Sequence, residues 1–327
     1  MIKKTIILFL AVMLITIIVI PASLSLLVSR GMEPEKKPSL WEGPGVKLLI
    51  NETGEIRTIP LEQYLVGVVA AEMPAVFEMD ALKAQAVAAR TYTLRKMQFQ
   101  NDRHPEADIC DDSNHCQAWL SDEAMQARWG MTGYTAYKRK IQRAVQETQG
   151  LVLIYDNQLI DPVYHSTSGP RTENSEDVWQ IAVPYLRSVE CIWGADSPRY
   201  QEEKRFTWEE LDRLLGTSFA VLPATTLTSS NTIQTISSTA TGRVKEAQVA
   251  GKIFPGTELR KILGLNSTNI KLSGNNRGLT FTTTGFGHGV GMCQYGANGQ
   301  AKEGRNFAEI LTYYYTGVKL MQLTGYR

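Results

Sequence analysis

LEQYLVGVVAAEMPAVFEMDALKAQAVAARTYTLRKM, residues 61–97, reads as two helices hinged at Met73-Pro74. In the first, Leu65, Val68 and Val69 fall on one face at helical spacing. Pro74 cannot continue that helix and biases Met73 away from helical geometry. Glu72 therefore falls in the last turn of an apolar helix, just before a forced break. A helix C-terminus favours a cation over a carboxylate. Its neighbours Val69, Ala70, Ala71 and Met73 offer no solvation. Both effects raise a carboxyl pKa, as a general acid working near neutrality requires. The plainer reading of Glu72 is an ordinary, partly exposed carboxylate near a helix end. The second helix, from about Asp80, is Ala-rich and carries Lys83, Gln85 and Arg90.

Outward from this stretch, 327 residues suffice for one large domain or two ordinary ones. The apolar fraction of 43% allows a packed core, and 34 basic against 33 acidic residues give no footprint for nucleic acid. Lys3 and Lys4 precede Thr5 to Val28, a run without charge that is long enough to span a bilayer. The run exceeds a signal-peptide core and lacks a clear cleavage site. The expectation is a cytoplasmic tail (1–4), a transmembrane helix (5–28), a polar linker (29–45) and an extracytoplasmic domain from residue 46 to residue 327.

Within that domain, residues 46–59 read as a hairpin around Thr53-Gly54, and 121–129 and 135–148 as helices. Leu151 to Tyr155 and Gln158 to His165 read as a second hairpin across Asp156-Asn157. Residues 200–284 differ in texture and read as a smaller subdomain, opening with a Thr207/Glu210 capping box. Helices and strands mix without a βαβ rhythm. The fold class expected is α+β, with helices and antiparallel strands forming a cleft.

Three constellations carry chemistry. His104, Cys110, His115 and Cys116 lie within thirteen residues, in HPEADICDDSNHC, and suit a tetrahedral zinc with no open position. Such a metal is structural rather than water-activating. Adjacent His115 and Cys116 can both ligate only if the loop turns sharply, and Asp111 to Asn114 are turn-prone. The rival reading is a Cys110–Cys116 disulfide, which an exported domain permits. Second, Tyr164-His165-Ser166-Thr167-Ser168-Gly169 presents an imidazole and hydroxyls to a polyhydroxyl ligand, or stabilises its own turn. Third, GFGHGVGMCQYGA (285–297) allows close backbone approach around His288 but lacks the context of a dinucleotide loop. Nothing marks an orienting group for Cys293 as a nucleophile, so it reads as a small buried residue at a helix start.

AAEMP followed by ALKAQAVAARTY, then YHSTSG, DVW, PYL and GHGVGMCQYGA, resembles the stage II sporulation protein D family, the SpoIID/LytB domain, over about residues 46–318. The resemblance implies a lytic transglycosylase of peptidoglycan. Such an enzyme cleaves the bond between N-acetylmuramic acid and N-acetylglucosamine in strands stripped of stem peptides, and leaves 1,6-anhydro ends. It implies Glu72 as the catalytic acid, and a Cys/His zinc site like His104, Cys110, His115 and Cys116. It also implies the amidase stage II sporulation protein P and the membrane protein stage II sporulation protein M as partners in forespore engulfment, at the mother-cell membrane. Positions 170 and 293, usually Gly and Ser in the family, are Pro170 and Cys293 here. Lys83, Gln85 and Arg90 are candidates to line the cleft. His165, Ser166, Ser168, His288 and Gln294 are candidates to contact sugar. For each, the alternative is an internal hydrogen-bond partner that shapes the cleft. Competing functions are a non-catalytic wall-binding activator of an amidase, a zinc amidase and a thiol peptidase.

Overall fold

The computed structural model describes residues 43–99, 103–219, 233–275 and 277–323. The expected tail, anchor and nearly all of the linker lie outside these residues. Among the described residues no helix is long and apolar enough to cross a membrane.

Strands β1 (Gly45–Ile50) and β2 (Glu55–Pro60) form the first hairpin, with Gly54 at φ +71° in its turn. A left-handed residue there costs glycine nothing. Helix α1 (Leu61–Glu72) follows at once. Its burial is wider than one face: every residue from Tyr64 to Ala70 is buried. Met73 is extended (φ −121°, ψ 143°), as the residue before a proline should be, and the helix stops there. Helix α2 (Met79–Met97) runs through the middle of the fold, with Ala81, Ala84, Ala86, Ala88 and Ala89 buried. These small side chains let α1, α3 (Asp122–Glu147) and β4 (Leu151–Tyr155) approach its backbone. The two helices expected at 121–129 and 135–148 are present as two helical stretches of α3, separated at Gly130, whose backbone is not helical (φ 66°, ψ 171°). Ser121 caps its start by accepting from the Ala124 N–H.

A short β3 (Ile109–Cys110) pairs in parallel with β1. Strand β4 turns through Asp156 and Asn157, both at positive φ, into β5 (Gln158–Leu159). The return strand expected to reach His165 ends at Leu159. Pro162 has no N–H to continue the ladder. Residues 164–165 form β6 (Tyr164–His165), which pairs in parallel with β13 (Met292–Cys293) instead, setting His165 opposite Cys293. So the sheet content is mixed rather than purely antiparallel.

After α4 (Glu176–Trp179) come β7 (Gln201–Thr207), α5 (Trp208–Leu215), β8 (Ile233–Ser238), β9 (Val244–Val249), β10 (Lys252–Pro255), α6 (Gly256–Leu263), β11 (Ile270–Asn275) and β12 (Gly278–Thr284). They make two three-stranded antiparallel sheets, β10-β9-β8 and β11-β12-β7. Phe206, Trp208, Leu211, Leu259, Leu263 and Phe281 share one apolar cluster there. The Thr207/Glu210 capping box is present. Buried Arg243 of this region joins it to the rest: it pairs with buried Glu173 at 3.5 Å and donates to the Ser168 carbonyl. The chain ends in α7 (Gln294–Lys302), α8 (Phe307–Tyr314) and β14 (Lys319–Gln322), the last on the open edge of β4.

One ion pair ties these elements together. Arg90 of α2, fully buried, donates to both carboxylate oxygens of buried Glu62 in α1, each at 2.7 Å. Nη2 and Nη1 also reach the carbonyls of Val145 and Leu151 respectively, each at 3.2 Å. Removing one partner of a buried pair strands the other charge, at a cost of about 3–5 kcal/mol. Glu62→Gln is therefore expected to lower unfolding free energy by about that amount, measured by denaturant titration. A loss under about 1 kcal/mol would mean that the pair is not buried as described.

Candidate active site

Glu72 is the last residue of α1, and two elements distant in sequence close on its side chain. The Ala118 N–H donates to Oε1 at 2.8 Å. Gln294, first residue of α7, donates from Nε2 to Oε2 at 3.4 Å, and the same Nε2 lies 3.3 Å from Oε1 of buried Gln85. Burial pushes the Glu72 carboxyl above the ordinary glutamate range, and the two donors pull it only part of the way back. Ala118 is held in place by its neighbours. Gln117 donates to Tyr64 Oη and Thr93 Oγ1, and accepts from Tyr164 Oη. The Leu120 N–H donates to the Gly67 carbonyl at 3.2 Å. This approach needs glycine: a Cβ on Gly67 would sit 2.2 Å from Trp119 Nε1 and 2.7 Å from the Leu120 carbonyl oxygen.

Glu72 opens into a cleft of about 970 Å³. Among the described residues that line it, Glu72 is the only acid. Glu78 and Asp80 lie beyond the proline break and do not reach the cleft: the Glu78 N–H donates to Asn298, and Asp80 accepts from the Phe307 N–H at the start of α8. Aromatic rings of Trp129, Tyr137, Trp179, Phe286 and Tyr295 face the same space, as do the guanidinium-bearing Arg128, Arg199 and Arg260. Faces of this kind stack on sugar rings, and polar edges fix orientation.

His165, Ser166, His288 and Gln294 line this cleft with Glu72. His165 donates from Nδ1 to the Val290 carbonyl (3.0 Å), which leaves Nε2 buried and without a hydrogen-bond partner among the described residues. His288 donates from Nε2 to the Tyr164 carbonyl and accepts at Nδ1 from the Val290 N–H. Burial and the neighbouring His165 hold its pKa well below the usual imidazole range, so it is neutral. The structure corrects three other expected contacts. Lys83 pairs with Glu147 and lies over Phe307, because its position on α2 faces α3 and α8 rather than the cleft. Arg90 is consumed by Glu62. Ser168 is buried, donates from Oγ to the Gly169 carbonyl, and receives Arg243 on its own carbonyl. Gln85 does not line the cleft and acts only through Gln294. Sequence reasoning missed the Ala118 N–H, the aromatic rings and the three arginines. The bend at Gly130, beside Trp129, was the one local signal.

His104, Cys110, His115 and Cys116 bring their ligand atoms within 4.8 Å of one another. Cys110 Sγ to His115 Nδ1 is 3.4 Å, and Cys116 Sγ is 3.5 Å from both His104 Nε2 and His115 Nδ1. Both thiols are free. A tetrahedral zinc with bonds of about 2.0–2.3 Å would separate its ligand atoms by roughly 3.3–3.8 Å, so these three distances fit, and the 4.8 Å limit on the set needs at most a small side-chain shift. The sharp turn that adjacent ligands require is present: the Asp112 carbonyl accepts from both the His115 and Cys116 N–H groups. His104 donates its other ring N–H to the Ala107 carbonyl, the usual device for orienting a ligand imidazole. Cys116 stands two residues before Ala118, so a group held here fixes the backbone that serves Glu72.

Residues 50–155 match the family model described as stage II sporulation protein. The chain is 41% identical over 273 residues to the stage II sporulation protein D of Bacillus subtilis (strain 168), covering 83% of this chain and 77% of that one. It is 37% identical over 293 residues to the protein of the same name from Bacillus amyloliquefaciens, covering 89% and 83%. It is also 30% identical over 304 residues to the amidase enhancer of Bacillus subtilis, covering 78% and 40%. At that identity and coverage, the chain belongs to the stage II sporulation protein D family, a family of sporulation.

Proposed function

We propose that this protein is a lytic transglycosylase acting on peptidoglycan glycan strands stripped of their stem peptides. Glu72 protonates the glycosidic oxygen between N-acetylmuramic acid and N-acetylglucosamine, and the C1–O bond breaks. The resulting carboxylate takes the proton of the C6 hydroxyl, whose oxygen closes on C1 to give a 1,6-anhydro ring. One carboxyl group serves both steps and leaves the reaction protonated, as it began. The observation that carries this reading is that Glu72 is the only acid among the described cleft-lining residues. Glycoside hydrolases of either stereochemistry need a second carboxyl group about 5–9.5 Å away. A membrane-anchored enzyme working with stage II sporulation proteins P and M at the mother-cell membrane is the setting that goes with this activity.

A second reading follows from the relative named amidase enhancer. In it, the cleft binds wall glycan and the protein activates an amidase without cleaving. Mass spectrometry of products from peptide-stripped strands separates the two. The transglycosylase reading expects anhydro-ended sugars from the wild type and none from Glu72→Gln. Wild-type activity should fall as pH rises through the raised pKa of Glu72, because the acid form is lost. Reducing-end products would mean hydrolysis, and folded wild type without products would favour the activator.

We also propose that His104, Cys110, His115 and Cys116 hold a structural zinc. All four positions of the metal would be filled by protein, so the metal braces the 104–118 loop and takes no part in bond cleavage. Elemental analysis of metal-replete protein is expected to find about one zinc per chain. Cys110→Ser and Cys116→Ser should lose zinc and unfold at lower temperature. Zinc absent from the wild type would overturn the assignment.

A further inference from the structure

Three guanidinium groups line the cleft, against one carboxyl whose pKa burial raises. None of the three forms an ion pair among the described residues. Arg128 is partly committed to the protein, donating from Nη1 to the carbonyls of Ala70 (2.9 Å) and Ala71 (3.5 Å) at the end of α1. The other two are freer. Arg199 lies over Phe286, with its guanidinium carbon 4.5 Å from the ring centre, and makes no side-chain hydrogen bond among the described residues. Among the described residues Arg260 of α6 uses only Nε, on the Leu265 carbonyl at 3.2 Å, and neither terminal nitrogen has a hydrogen-bond partner there. It is partly buried, and burial lowers its pKa; the acids that share the small cavity with it, Glu173, Glu176 and Asp177, pair with Arg243, Arg187 and Lys245. Both residues border the glycine-rich loop: Arg199 through Phe286, and Arg260 beside His288, which it shares as a lining residue of the cleft and of the small cavity behind it.

An unpaired guanidinium, exposed as in Arg199 or partly desolvated as in Arg260, is matched by a planar anion. A peptide-stripped glycan strand carries one anionic group per disaccharide, the lactyl carboxylate on C3 of the muramoyl ring. With a stem peptide attached, that same carbon is a neutral amide. We propose that Arg199 and Arg260 form a carboxylate subsite that binds the free lactyl group of a muramoyl residue in the cleft. This rests on the reading of the cleft as a site for peptidoglycan glycan. It makes the choice of stripped strands a matter of charge and not only of room: the two arginines gain a partner only where an amidase has already acted.

The test uses equilibrium binding to the full chain carrying Glu72→Gln, so that no turnover intervenes. The probes are stripped strands, the same strands with their lactyl carboxylates converted to methylamides, and strands that retain stem peptides. The free carboxylate is expected to improve affinity about tenfold over the methylamide, equivalent to ~1.4 kcal/mol. That ratio should fall towards one when Arg199→Gln or Arg260→Gln is added. Arg199 is exposed, so its substitution does not threaten the fold and carries the test alone if the Arg260 variant is unstable. Equal binding of carboxylate and methylamide overturns the proposal, as does a ratio that survives both substitutions. Tighter binding of stem-bearing strands would assign the arginines to stem-peptide carboxylates and also overturn it. Failure of the transglycosylase reading is seen separately, as missing anhydro products from the wild type, and leaves these binding ratios interpretable.

Discussion

The buried Arg90–Glu62 pair fixes the frame in which everything else stands. A guanidinium sealed from water is tolerable only if each of its nitrogens finds an acceptor. Arg90 meets that demand by drawing on α1, the C-terminal end of α3 and the first residue of β4 at once. The carbonyl end of α3 also favours a cation. The consequence reaches the site. Glu72 follows Glu62 by ten residues on the same helix, about 15 Å along its axis. Pinning one carboxylate against α2 sets the height and rotation at which the other emerges.

The site itself is a convergence of chain ends. Pro74 truncates α1 at the carboxyl, Gly67 lets the 117–120 segment lie against that helix, and α7 begins with the amide that reaches Glu72 from the opposite side. Each supplies one donor or one constraint, and none supplies a second carboxylate. A group in this setting is stabilised by two hydrogen bonds yet destabilised as an anion by burial, and burial prevails. The His/Cys loop belongs to the same construction, since it delivers the backbone N–H that bonds Glu72.

Local signals in the sequence translated well. The Thr53-Gly54 turn, the break at Met73-Pro74 and the Thr207/Glu210 box all depend on residues a few positions apart. The clustering of His104, Cys110, His115 and Cys116 was legible for the same reason. What failed was the direction of side chains on α2. That helix is buried over most of its surface, so spacing cannot tell a cation aimed at a cleft from one aimed at a buried partner. Lys83 and Arg90 both took the second course. The pairing of Tyr164–His165 with Met292–Cys293 spans about half the described chain and has no local signature. Arg260 enters the cleft from α6, in a region whose own core gives no hint of a shared surface.

The central claim of the proposed mechanism is that one carboxyl, its pKa raised by burial, does the work of the cleft. Carbon-13 NMR titration of the glutamate side-chain carboxyls, with Glu72 assigned by its loss in Glu72→Gln, measures this directly. The account predicts that Glu72 ionises above the ordinary glutamate range, after the exposed glutamates. Ionisation of Glu72 together with the exposed glutamates would contradict it, because a group already charged at neutral pH cannot supply the proton.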